Sequence, residues 1–189
     1  FFDKNNYLDY VIKEDGLFSG KGVYIPNNDK DFINLKNDFY NNSRELIIEK
    51  RLKGQEISLM AFCNGTDLYL MPQSQDYKKR NDNNLGPNTG GMGSVAPVNI
   101  LNNEELIIVK NHMKKVVEKL NYVGILYAGL MKTNNGIYFL EFNCRFGDPE
   151  SQVLLSLLNS DLYKIMIDCV NNKVPIINWT NDYSVCLVL

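Results

Sequence analysis

Two Asn-Gly dipeptides, Asn64-Gly65 and Asn135-Gly136, each stand between two apolar segments of strand length. Asn-Gly accommodates the positive φ angles of a tight hairpin turn. The sequence therefore predicts two antiparallel hairpins, residues 56–62 with 67–71 and residues 124–131 with 137–142. Between them, residues 104–120 place acids in the first turn and Leu106, Val109, Met113, Val116 and Leu120 on one face, the pattern of an amphipathic helix. With 189 residues, 44% of them hydrophobic and 22% charged, the chain has material for one domain or two small ones.

Elsewhere the pattern predicts strands over 7–13, 23–25, 46–50 and 184–189. A helix starting at Asn28 or Asp29 runs to about Tyr40, with Phe32, Leu35, Lys36 and Phe39 on its half-buried face. Residues 153–170 read as helical, with a break at Ser160-Asp161 where Ser160 caps a second segment. Residues 72–97 are polar, glycine-rich and without period, too long for an ordinary connection, so a functional loop that holds substrate is expected there.

Several classes are excluded. A net charge of −2 gives no electrostatic footprint for nucleic acid. Apolar runs such as 123–126 and 185–189 fall far short of the roughly 20 residues that span a bilayer. Four cysteines without a C-x-x-C pair, and a single histidine, argue against a zinc finger, a disulfide framework or a Ser-His-Asp hydrolase. His112 falls within the helical pattern, as a surface or packed residue. The chain opens on Phe1 without a signal segment and stops within an apparent strand, so both ends read as internal cuts.

Four segments carry chemistry. Residues 16–22 form a glycine loop between two strands, with Lys13 at its entrance and Lys21 inside it. The spacing fails both the P-loop and the dinucleotide fingerprint, leaving a polyphosphate cradle or an ordinary hairpin with solvated lysines. Glu141, Asn143 and Arg145 fall on one face of an apolar strand. Such a carboxylate and amide suit a divalent cation bound by phosphates, with the arginine offsetting phosphoryl charge; a polar sheet edge is the alternative. Asp148 and Glu150 follow at a turn, to fix an amine or a ribose hydroxyl or to cap the next helix. In the long loop, a basic run at 78–80 precedes Gly86-Pro87-Asn88-Thr89-Gly90-Gly91-Met92-Gly93, four glycines in eight positions that imply close backbone approach to a ligand or a mobile surface loop. Finally, the bend over 49–56 can offer backbone groups to an adenine and a carboxylate to ribose, or form a salt-bridged turn.

Together these segments resemble the phosphoribosylamine–glycine ligase family of ATP-grasp enzymes. The resemblance spans nearly the whole chain and rests on Val11-Ile12-Lys13 with Asp15-Gly16-Leu17, Gly20-Lys21-Gly22-Val23, Ser74-Gln75-Asp76 with Lys78, the Gly86 to Gly93 string, Leu126-Tyr127-Ala128-Gly129-Leu130-Met131, and Glu141-Phe142-Asn143-Cys144-Arg145-Phe146-Gly147-Asp148-Pro149-Glu150. Departures from the family pattern fall at Phe18, Ser19, Lys50, Arg51, Tyr77, Lys79 and Leu85.

The resemblance implies an α+β ATP-grasp fold, two lobes with mainly antiparallel sheets clasping ATP between them: a small lobe over 1–53, a large lobe over 54–178, and the first strand of a further domain over 179–189. It implies ligation of glycine to 5-phosphoribosylamine through a glycyl phosphate in purine biosynthesis, in the cytoplasm, with ATP and Mg²⁺ or Mn²⁺ as cofactors. Flanking domains of the same polypeptide are implied as partners. By the same resemblance Lys13, Gly20, Lys21, Gly22, Glu49, Lys50, Leu52 and Glu56 hold the nucleotide, and Glu141 and Asn143 hold the metal. Asp76, Lys78, Asn88, Thr89, Gly90 and Asp148 hold the substrates, and Arg145, Lys21 and Asp148 act in catalysis. A sister carboxylate–amine ligase and a non-catalytic nucleotide-binding module are the competing readings.

Overall fold

A computed structural model of the chain describes residues 2, 5–16, 22–42, 45–83 and 85–189. Two units result, Phe1–Lys53 with Asn88–Gly90, and Gly54–Pro87 with Gly91–Leu189. In the first, a 3₁₀ turn over Tyr7–Asp9 precedes β1 (Tyr10–Glu14), so the strand expected from residue 7 begins three residues later. The cause is local: the Asn6 side chain caps the turn at Leu8 N, and the Tyr7 ring stacks on Phe32 at 4.5 Å. β2 (Val23–Tyr24) pairs antiparallel with β1, Lys13 opposite Val23. In α1 (Asp29–Asn41) the Asn28 side chain accepts from Asp31 N at 2.9 Å, and Phe39 is the buried residue. β3 (Leu46–Lys50) completes the order β2-β1-β3. Residues 17–21, with Gly20 and Lys21 among them, lie outside the described residues.

The second unit is built on β4 (Gln55–Asn64) and β5 (Leu68–Leu70), the first predicted hairpin. At its turn only Gly65 takes a positive φ (+96°); Asn64 instead accepts hydrogen bonds on its side chain from Thr66 N and Asp67 N. The segment expected to lack regular structure contains β6 (Gln75–Asp76), β7 (Lys79–Asn81), β8 (Leu85–Asn88) and β9 (Gly93–Ala96). Strands of two to four residues are too short to show a period of two, so the sequence pattern could not reveal them.

α2 (Asn103–Leu120) opens with a capping box between Asn102 and Glu105. β10 (Val123–Thr133) and β11 (Gly136–Asn143) form the second hairpin, and the sheet order is β11-β10-β4-β5. The helix expected over 153–170 is two, α3 (Glu150–Leu157) and α4 (Leu162–Val170). Asp161, not Ser160, caps α4, because its carboxylate reaches Lys164 N while the Ser160 hydroxyl accepts from Asn178 N. β12 (Ser184–Leu187) pairs with β9 of the same unit, giving the order β12-β9-β6.

Both faces of the four-stranded sheet are covered. Ile57, Leu59, Ala61 and Cys63 of β4 pack with Val109, Met113 and Val117 of α2, while Met60 and Phe62 pack with Val153, Leu154 and Leu157 of α3 and Ile165 and Cys169 of α4. This explains why β4 reads as a continuous apolar run and not as an alternating one. The four cysteines are free, and among the described residues no helix is long and apolar enough to cross a membrane. His112 lies exposed on α2 with Nδ1 on Ile108 O.

Candidate functional site

A β-bulge decides where β11 aims its polar end. Phe139 pairs with Leu130 and Glu141 with Gly129, so Leu140 is an extra residue without a partner on β10. Before the bulge, Ile137 and Phe139 face α2. After it the parity reverses: Phe142 joins Phe139 on the α2 face, ring centroids 5.3 Å apart, while Glu141 and Asn143 pair with Gly129 and Tyr127 and take the opposite face. Asn143 Nδ2 donates to Glu141 Oε1 at 3.2 Å, so the amide oxygen can face a cation beside the carboxylate. Among the described residues no three His, Cys, Asp or Glu gather as a closed metal cage. Two adjacent hard oxygens suit Mg²⁺ or Mn²⁺, because such an ion takes its remaining ligands from water and phosphate. The expected metal residues fit that chemistry.

On this same face lies a cluster around Lys78. Its ammonium stands 3.6 Å from Glu56 Oε2 and 3.8 Å from Asp76 Oδ2. The Asp76 side chain is 5% exposed, and its Oδ1 has no hydrogen-bond partner among the described residues. Burial, then the charge of Glu150, raises the Asp76 carboxyl to about 7 against the pull of Lys78. Burial also works against the Lys78 ammonium, but Glu56, Asp76, Glu150 and Glu141 outweigh it and hold its pKa above the ordinary lysine value. A buried acceptor left without a donor is costly, and a substrate amine or hydroxyl would satisfy it.

Behind the cluster sits a network that sequence reasoning missed. Glu150, 1% exposed, accepts from Ser58 Oγ at 2.7 Å and from the Tyr127 hydroxyl at 2.6 Å, and the two hydroxyls are 2.8 Å apart. Burial and then Glu150 raise the Tyr127 phenol, which keeps it a donor. Two glycines admit this packing. Any side chain at Gly147 would collide with the Glu150 carboxylate and Met60, and one at Gly91, where φ is +126°, would meet Pro149 and Asp76. The available signal was Ser58, a polar residue inside the apolar run of β4, diagonal to Tyr127 in the β4–β10 register.

The remaining expected residues are spread more widely. Arg145 lies beyond the end of β11, not on its face, and donates to Phe146 O at 2.8 Å. Asp148 accepts from Gln152 Nε2 at 2.7 Å in the turn that leads into α3. Glu56, expected with the nucleotide set, is brought to Lys78. In the first unit, Lys13 pairs with Glu49 at 2.6 Å across β1 and β3, two residues expected to take different parts of a nucleotide. Lys50 closes β3, Leu52 follows it, and Gly22 is buried before β2. Asn88, Thr89 and Gly90 group with the first unit, not with Asp76 and Lys78.

The chain is similar to known proteins in sequence and in fold. The family model for the phosphoribosylglycinamide synthetase ATP-grasp (A) domain matches residues 1–151. A phosphoribosylamine–glycine ligase of Streptococcus pneumoniae is 41% identical over 183 residues, covering 90% of this chain and 44% of the relative. The trifunctional purine biosynthetic protein adenosine-3 of Gallus gallus is 39% identical over 207 residues, covering 100% of this chain and 20% of the relative. The crystal structure of phosphoribosylamine–glycine ligase from Thermotoga maritima superposes with a TM-score of 0.80 at 32% identity, covering 94% of this chain and 48% of that one. The chain thus spans less than half the length of these relatives. Its α+β architecture is that of ATP-grasp proteins. With four-fifths of its length matched by one family, the chain belongs to the phosphoribosylglycinamide synthetase ATP-grasp family.

Proposed function

We propose that this chain is the ATP-grasp part of a phosphoribosylamine–glycine ligase acting in purine biosynthesis in the cytoplasm. Glycine carboxylate takes the terminal phosphoryl group of ATP, and the amine of 5-phosphoribosylamine attacks the resulting glycyl phosphate. Glycinamide ribonucleotide, ADP and phosphate are the products. The observation that carries this reading is that the bulge at Leu140 turns Glu141 and Asn143 onto the sheet face that holds Ser58, Tyr127 and Glu150, in a chain of this family.

In this reading Lys13 exchanges Glu49 for ATP phosphate, with Gly20, Lys21 and Gly22, while Glu49, Lys50 and Leu52 serve the adenine and Glu56 the ribose. Glu141 and Asn143 would hold Mg²⁺ or Mn²⁺, which neutralises phosphate charge when bound. Arg145 turns from Phe146 O to the transferring phosphoryl group, and Lys21 also acts in catalysis. Asp76, with its unpartnered buried oxygen, and Lys78 receive the amine and ribose-phosphate substrate, together with Asn88, Thr89, Gly90 and Asp148. The parts are a small lobe over 1–53, a large lobe over 54–178 and the first strand of a further domain over 179–189, with flanking domains of the same polypeptide as partners.

The test is phosphate release from ATP and Mg²⁺ by the protein expressed whole, with glycine and 5-phosphoribosylamine omitted in turn. Release should require both and fall at least about a hundredfold in Glu141→Ala. Release supported by another acid in place of glycine would assign a sister ligase, and nucleotide binding without turnover would assign a binding module.

A further inference from the structure

Glu150 has no part in the substrate contacts proposed above, and its burial keeps it from solvent. Its carboxylate is held by two neutral hydroxyls, Ser58 on β4 and Tyr127 on β10. Neutral donors replace water around a buried carboxylate but do not cancel its charge, so that charge acts on neighbouring ionisable groups. The scaffold that joins Glu150 to Asp76 is short. Asp76 pairs with Ser94 between β6 and β9, Ser94 Oγ donates to Pro149 O at 2.7 Å, and Pro149 immediately precedes Glu150. Gly91 packs against both Pro149 and Asp76, which leaves this corner little freedom to rearrange.

We infer that Glu150 is a positioning residue: a buried carboxylate, locked by Ser58 and Tyr127 behind Asp76, that adds to burial in opposing ionisation of Asp76 and strengthens the hold on the Lys78 ammonium without touching substrate. The inference rests on the reading of Asp76 and Lys78 as substrate ligands. The ionisable groups facing Asp76 are Glu150 at the start of α3, Lys78 just beyond β6, Glu56 on β4 and the Tyr127 phenol on β10. Glu150 opposes ionisation of Asp76 and favours the charged form of Lys78. Its removal makes Asp76 the stronger acid.

Carbon-detected NMR titration of the protein expressed whole tests this, with the Asp76 carboxyl signal assigned by its loss in Asp76→Asn. Glu150→Gln keeps the shape and one acceptor oxygen but deletes the charge, so the Asp76 midpoint should fall by about one pH unit. Tyr127→Phe removes one of the two donors that hold the charge, and should move the midpoint the same way by less. The acid limb of the pH profile of kcat/KM for the amine substrate should move with the midpoint. An unmoved Asp76 midpoint in Glu150→Gln overturns the inference, and if that variant fails to fold, an unmoved midpoint in Tyr127→Phe does so. A midpoint that moves while the acid limb stays fixed also overturns the positioning role. Wild-type protein with no turnover on glycine and 5-phosphoribosylamine would sink the ligase reading alone, since the NMR titration does not depend on it.

Discussion

Asp76 is the residue at which stability and chemistry oppose each other. Its carboxyl is raised to about 7 by burial and by Glu150, against an ordinary value of 3.8. A group raised on folding supports the folded state below its unfolded pKa, and that support is lost as pH rises through the folded pKa. Ionisation of Asp76 therefore removes stability progressively from about pH 4 to pH 7, and the full cost, at most about 4 kcal/mol for a shift of this size, remains above it. Denaturant unfolding at pH 5 and pH 8 should show Asp76→Asn gaining on the wild type at pH 8 and losing that advantage at pH 5, while substrate turnover is lost. Equal stability differences at the two pH values would mean that Asp76 is ionised without strain. Asp76 could be picked out from the sequence only through the resemblance of its motif, because a two-residue strand carries no periodic signal, while Lys78 also stood out in the basic run at 78–80. Glu150 was visible only as one of two acids at a turn, since burial depends on what β4 and β10 bring to it from 92 and 23 residues away in sequence.

At the scale of elements, the hairpins and α2 could be read directly, because Asn-Gly turns, long apolar strands and a capped amphipathic helix are all local patterns. The bulge could not. Leu140 is one more apolar residue in an apolar strand, and an inserted residue leaves no trace in composition. Yet parity depends on it, since a shift of one residue sends a strand's side chains to the other face. Deletion of Leu140 should therefore remove the bulge yet leave Glu141 opposite Gly129 and Asn143 opposite Tyr127, on the face they already take, whereas deletion of Phe142 should send Asn143 to the α2 side. The expected outcome is that the Leu140 deletion retains measurable Mg²⁺-dependent turnover, while the Phe142 deletion is folded by circular dichroism and loses it. Retained turnover in the Phe142 deletion would show that the face taken by Asn143 does not matter.

For the whole molecule, a sheet covered on both faces carries a site that leaves Asp76 Oδ1 buried without a partner among the described residues. The sheet supplies rigidity: Leu59, Met60, Val153 and Val117 are fully buried on its two sides. The site spends part of that stability on Asp76 and Glu150, which is the usual relation between a scaffold and its functional residues. Much of this molecule is legible in the sequence because the chemistry-bearing strings are long and ordered. Arg145 was the exception in geometry, since a strand pattern extended past its real end at Asn143 gives the wrong direction for it. The central claim is that glycine carboxylate is activated by phosphorylation and then attacked by an amine. In that sequence the oxygen that joins glycine to phosphorus leaves with phosphate. Glycine labelled with ¹⁸O in its carboxylate, incubated with the whole protein, ATP, Mg²⁺ and 5-phosphoribosylamine, should deliver one labelled oxygen to each inorganic phosphate released. Phosphate released without label, with both substrates present, would contradict the account.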